Sequence, residues 1–145
     1  MHDDFLEFIS LLSKNNADFV IVGAHALGFH GIPRYTGDID LLIYPSRENA
    51  QKVLTTVRDF FGSDLGLTEK DLSDNDTIQF GRPPVRIDVL KKITGVTIDE
   101  IWSTRVKGTF GKIEVFYISR DMMIKNKKAT GRDKDALDVK LLGES

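Results

Sequence analysis

Asp38 and Asp40 stand two residues apart in TGDIDLLI, a stretch with the residue pattern of a β-strand. Side chains two apart on a strand share one face, so these carboxylates project together while Ile39, Leu41 and Ile43 point the other way. Adjacent like charges repel. Such a pair stays ionised at low cost only where water, basic side chains or cations neutralise it, and hard divalent ions suit clustered carboxylate oxygens. Taken alone, a D-x-D is more often a solvated turn than a metal site, because acids are common turn residues. Its surroundings must decide between the two.

A third acid occupies a comparable place. In PVRIDVLK, Val85, Ile87 and Val89 share one strand face and Arg86 and Asp88 share the other. Asp88 is therefore either a further ligand or an ion-pair partner for Arg86, since a charge on a half-buried strand normally has a partner. Gly23 ends the apolar run DFVIVG and precedes a short helix or turn, where exposed backbone N–H groups can hold phosphate. GAHALGFH has the glycine spacing of a P-loop but carries Phe29 and His30 where Lys and Ser/Thr are required, and G-x-G-x-x-G does not occur. Arg34, just ahead of the acidic pair, is suited to hold phosphate or to brace Asp38. The five-residue spacing of His25 and His30 does not set them on one helix face as metal ligands. They read as core or surface histidines, and Trp102, Phe110, Phe116 and Tyr117 read as packing rather than a base-stacking platform.

The elements that must position these groups follow from periodicity and punctuation. Phe5, Leu6, Phe8, Ile9, Leu11 and Leu12 recur at helical spacing. DFVIVG reads as a buried strand, AHALGFHG as a short helix or turn, and Asp38 to Tyr44 as a second strand. Ser46 caps a helix running through Ala50, Val53, Leu54, Val57 and Phe60 to Gly62. The polar, acidic stretch from Ser63 to Asn75 reads as a loop. TIQFG and PVRIDVLK read as neighbouring strands, Thr97 and Glu100 have capping-box spacing, and RVKGTF and KIEVFYI form a hairpin around Gly111. Two final helices follow, the first capped by Ser119 and the second running through Ala136, Leu137, Val139, Leu141 and Leu142 to Gly143. The fold class expected is α/β (α+β), a mixed sheet of about five strands flanked by helices, with helices at the C-terminus.

The chain has 145 residues, 41% of them hydrophobic and 29% charged, which suits one soluble domain over residues 1–145. With a net charge of −2 there is no global basic footprint, so any contact with nucleic acid rests on a local patch. The absence of cysteine excludes disulfides, thiol nucleophiles and cysteine zinc sites. Acids stand where a signal peptide would be positive, and no apolar run approaches membrane-spanning length, so a cytoplasmic location without membrane contact is expected.

Taken together, a glycine turn after one strand, D-x-D on the next and an acid on a later strand resemble the nucleotidyltransferase superfamily with a DNA polymerase β-like core. The matching positions are Gly23-Ala24, Asp38-Ile39-Asp40 and Asp88. Within it the chain looks most like the AbiEii-type proteins of toxin–antitoxin systems. Gly23, Ala26, Gly31, Arg34, Thr36, Asp38 and Asp40 follow their first motif, and Lys127, Ala129, Arg132, Lys134, Asp135 and Asp138 their C-terminal one.

The resemblance implies a Mg²⁺-dependent nucleotidyltransferase that moves a nucleoside monophosphate from NTP to a hydroxyl on tRNA, protein or a small molecule. Asp38, Asp40 and Asp88 would hold two Mg²⁺ ions, with Mn²⁺ able to substitute and Asp88 assisting as base. Gly23, Ala24, Arg34 and Lys127 would bind the nucleotide, Lys127 at the β- or γ-phosphate, unless it is a solvated lysine beside Lys125, Lys128 and Lys134. Asp135 and Asp138 would be structural, pairing with Arg132 or Lys134. An antitoxin-type protein partner is implied as well. The chain departs from the pattern at Ala24, where relatives often carry Ser or Gly, and in being shorter than the toxins. The alternative is a catalytically weak or inactive nucleotide-binding or partner-regulating module.

Overall fold

The computed structural model describes residues 3–143. Six strands form one mixed sheet in the order β3-β4-β2-β1-β6-β5. These are β1 (Phe19–Val22), β2 (Asp38–Ile43), β3 (Thr77–Arg82), β4 (Val85–Leu90), β5 (Val106–Phe110) and β6 (Ile113–Tyr117). Every strand-like segment of the sequence thus joins the sheet, one strand more than the expected count of about five. Two antiparallel hairpins, β3–β4 and β5–β6, flank the antiparallel pair β1–β2, and each joins it through a parallel contact, β2 with β4 and β1 with β6.

One face of the sheet is apolar by alternation. Ile39, Leu41, Ile87 and Val89 are at most 3% exposed. The helices α1 (Asp3–Lys14) and α3 (Arg47–Phe61) pack against each other, with Phe8 edge-on to Phe60, and α1 reaches β4 to cover this face. Each such buried Leu or Ile side chain contributes about 1.5–3 kcal/mol by leaving water. Ser46 caps α3 by accepting from the Asn49 N–H. The buried Asn49 amide in turn bonds Asp18 N, Asp18 O and Tyr44 O, tying the entry of β1 to the exit of β2.

The stretch expected as loop between Ser63 and Asn75 contains a short helix, α4 (Glu69–Asp74). A reciprocal capping box between Thr68 and Asp71 nucleates it, and the single apolar anchor Leu72 is buried. One anchor leaves no periodicity to read. The opposite sheet face carries the acids. It faces α6 (Arg120–Thr130), capped by Ser119 as expected, and α7 (Asp133–Leu141). Two further short helices complete the fold, α2 (Gly23–Phe29) directly after β1 and α5 (Ile98–Thr104), whose capping box pairs Thr97 with Glu100. No helix among the described residues is long and apolar enough to cross a membrane.

Candidate active site

Strand register brings the acids together. Asp40 of β2 lies directly opposite Asp88 of the parallel strand β4, and Asp38 lies opposite Arg86. Because directly paired residues share a face, all four side chains project from one patch of the sheet. Carboxylate oxygens of Asp38, Asp40 and Asp88 lie within 4.8 Å of one another. On the far side of β2, Val22 pairs with Asp40, so the β1–α2 turn at Gly23 opens onto the same carboxylates. Gly23 has φ +69°, and a Cβ there would stand 2.1 Å from Asp40 Oδ2. Glycine is therefore required twice over, by the left-handed backbone and by the carboxylate.

The three acids differ in their partners. Asp38 accepts hydrogen bonds from the Thr36 hydroxyl at 2.6 Å and from Arg86 Nη2 at 2.6 Å. The same Nη2 reaches Asp88 Oδ2 at 3.1 Å. Arg86 Nε also approaches Asp88 Oδ1 to 3.1 Å, but without hydrogen-bond alignment, so both atoms are buried without a hydrogen-bond partner. Asp40 is the proton-retaining member. Burial, the charge of Asp38 and the neighbouring Asp88 push its pKa up to about 7 against the opposing pull of Arg86.

A buried carboxylate oxygen that accepts no hydrogen bond, an acid whose pKa its neighbours raise and an oxygen-only donor set together fit a divalent cation such as Mg²⁺. The alternative offered for Asp88, a partner for Arg86, also holds. Arg86 bridges Asp88 and Asp38, a double role that the strand pattern of β4 could not show because it spans two strands.

The basic residues expected to meet phosphate line the same cavity as the acids and are anchored by the C-terminal carboxylates. Arg34 does not brace Asp38. It forms a bidentate pair with Asp138 of α7, at 3.1 and 2.6 Å, and that hydrogen bond raises its pKa. Lys127 is not a solvated lysine, because only 13% of its side chain is exposed and it reaches Asp138 at 3.0 Å and Asp135 at 3.4 Å. Asp135 pairs with Arg132 at 2.7 Å, as expected, and accepts from Thr130 at 2.6 Å, whereas Lys134 pairs with neither acid. Burial alone would raise the pKa of Asp135 and of Asp138. Hydrogen bonds, from Thr130 and Arg132 to Asp135 and from Arg34 and Lys127 to Asp138, outweigh it and hold both below the usual carboxylate value. The C-terminal acids thus fix two cations, Arg34 from the β1–β2 connection and Lys127 from α6, on the wall of one cavity.

That cavity has a volume of about 460 Å³ and is lined by Gly23, Ala24, Arg34, Tyr35, Thr36, Asp38, Asp40, Arg86, Asp88 and Lys127, among others. A neighbouring one of about 300 Å³ shares Gly23, Asp40, Lys127 and Arg132 with it and has an apolar wall of Leu90, Ile93, Ile118 and Met123. The two spaces meet at Asp40. Neither His25 nor His30 lines these two cavities, although His25 lies close enough to Asp38 for its charge and backbone to act on the imidazole. His25 packs edge-on against Phe5, with burial lowering its pKa, and His30 Nε2 lies 2.7 Å from the Ile118 carbonyl oxygen. Phe110 and Tyr117 are buried, and Trp102 and Phe116 hold the Arg105 guanidinium between them.

The sequence offered Arg86 only as a partner for Asp88; its hydrogen bond to Asp38 on the neighbouring strand is what the structure adds.

The fold is that of a known transferase. The structure matches a crystal structure of the lincosamide antibiotic adenylyltransferase LnuA bound to lincomycin with a TM-score of 0.60, over 100% of this chain and 98% of that one, at 10% sequence identity. No curated protein matches the chain. The family model described as nucleotidyl transferase of unknown function (DUF2204) matches residues 1–144, and the chain belongs to that family.

Proposed function

We infer that this nucleotidyltransferase moves a nucleoside monophosphate from an NTP to a hydroxyl, with Mg²⁺ held by Asp38, Asp40 and Asp88. The observation that carries this reading is the convergence of three carboxylates within 4.8 Å at the glycine turn, among them a buried Asp88 oxygen that accepts no hydrogen bond. A divalent ion bound there supplies charge neutralisation at the phosphates and lowers the pKa of the acceptor hydroxyl. The chain's own residues do the rest. The backbone at Gly23 and Ala24 meets the triphosphate at the start of α2, and Lys127 and Arg34, anchored by Asp138, offset its charge. Asp88 takes the proton of the attacking hydroxyl as the new oxygen–phosphorus bond forms at the α-phosphorus and the bond to pyrophosphate breaks. Two spaces meeting at Asp40 give donor and acceptor separate room on either side of the transfer point.

LnuA is a lincosamide adenylyltransferase, and its fold likeness makes a small hydroxylated molecule one acceptor class to test. tRNA or protein, with an antitoxin-type partner, is the class that the AbiEii resemblance suggests. Incubation with labelled NTP, Mg²⁺ and, separately, cell RNA, cell protein and hydroxylated small molecules including lincomycin tests the reading. Label entering one pool supports it and names the acceptor class. Mg²⁺-dependent NTP binding without transfer to any pool favours the nucleotide-binding module, for which the missing hydroxyl at Ala24 is the structural argument.

A further inference from the structure

Arg86 already occupies, with its guanidinium, oxygens that a divalent ion would use. Its Nη2 sits 2.6 Å from Asp38 Oδ2 and 3.1 Å from Asp88 Oδ2, bridging two of the three carboxylates across neighbouring strands. A cation bound to the same oxygens would stand beside a fixed positive charge, and at such separations like charges repel strongly in a partly buried site. Arg86 nevertheless fits the cluster poorly. Its Nε and Asp88 Oδ1 are 3.1 Å apart yet both lack hydrogen-bond partners, so the guanidinium satisfies only part of what the acids offer.

It also has somewhere to go. The Arg86 side chain is 30% exposed and lines the larger cavity. On β3 the residue paired with it is Gly81, which carries no side chain to hold the guanidinium in place. Gly81 is held to glycine by φ +78° and by a Cβ position 2.4 Å from the Val85 carbonyl oxygen. Arg86 thus has a closed position, bridging the acids, and the cavity that it lines beside it.

We propose that Arg86 is a resident counter-cation that competes with the divalent ion for Asp38 and Asp88, keeping the acids assembled without metal and being displaced when metal loads. This rests on the metal-site reading above, and it assigns Arg86 a positioning role rather than a catalytic one. A purely bracing role makes the opposite prediction, since loss of a brace would loosen the ligands and weaken metal binding.

Titration of the nucleotide-free protein with Mn²⁺ alone, read by the electron paramagnetic resonance of free Mn²⁺, distinguishes the two. Arg86→Gln removes the competing charge and should bind Mn²⁺ on the order of tenfold more tightly than the parent. It should also melt at a lower temperature in EDTA and gain more from added Mn²⁺ than the parent does. Arg86→Lys keeps the charge but loses the fork that spans two carboxylates, and its affinity should lie between the two. Should Arg86→Gln show no cooperative melting, the lysine variant carries the test through tighter binding than the parent. Parent-like or weaker Mn²⁺ affinity in the folded variants overturns the proposal while leaving the metal site standing. Absence of Mn²⁺ binding in parent and variants alike overturns both.

Discussion

Asp40 Oδ2 lies where a side chain on Gly23 would have to be, so the first residue of α2 and the central acid of β2 are built around each other. This close approach brings the backbone at the start of α2 against a carboxylate of the three-acid cluster. Gly23→Ala would force a left-handed alanine and press its methyl into the Asp40 carboxylate. The carboxylate is the softer party and should turn aside, so the stability loss is expected at about 1–3 kcal/mol while Mn²⁺ affinity drops at least about tenfold. Urea unfolding and Mn²⁺ titration of the same sample measure both.

The Asp40 carboxyl titrates near neutrality, with its pKa raised from 3.8 to about 7. Within that window the native chain holds a proton that the unfolded chain has released. Its stability contribution is therefore fullest at or below pH 3.8, falls as pH rises, and levels off above about 7. In metal-free buffer Asp40→Asn should flatten this decline and leave the protein more stable than the parent at pH above about 7. Metal has to displace the same proton, so below that pKa Mn²⁺ affinity should fall by up to about tenfold per pH unit. A pH series of unfolding curves and Mn²⁺ titrations checks both signs.

Asp138 is the joint of the C-terminal motif, at 1% side-chain exposure between Arg34 and Lys127. Replacing it by alanine leaves two cations facing each other beside a buried gap. The expected cost is about 3 kcal/mol, near the low end for a broken buried pair because Arg34 is partly exposed. Nucleotide affinity should fall as well, because both cations lose the anchor that holds them at the cavity wall. Denaturant unfolding and equilibrium NTP binding report the two effects separately.

Ala24 offers a backbone N–H at the start of α2 but no side-chain hydroxyl. If triphosphate binds at the start of α2, Ala24→Ser should add one hydrogen bond and tighten NTP binding by about three- to tenfold. An unchanged dissociation constant would place the phosphates away from this turn.

Much of this site was legible because its acids sit on strands. A period of two assigns Asp38, Asp40 and Asp88 to faces unambiguously, and the positions of Gly23 and of the D-x-D follow from where the apolar runs end. What the sequence could not show is which strand neighbours which. The β2–β4 pairing across intervening helices puts Asp38 opposite Arg86 and gives Arg86 its second carboxylate. The Arg34–Asp138 pair joins residues 104 apart in sequence, so no local pattern announces it, whereas Asp38 is near Arg34 in sequence. Helix α4 was missed for a different reason, a reciprocal cap and one buried leucine rather than an apolar stripe.

If the three acids support transfer of the α-phosphoryl group with its nucleoside, parallel reactions with α-labelled and γ-labelled NTP in Mg²⁺ will separate the two labels, with the parent compared with Asp38→Asn and Asp40→Asn in the presence of cell RNA, cell protein and hydroxylated small molecules. Acid-precipitable or chromatographically shifted product is expected from the α-label only, lost on EDTA addition and reduced on the order of a hundredfold or more in each variant. Product carrying the γ-label, or α-label transfer that persists undiminished in Asp40→Asn, would contradict that role of the acids.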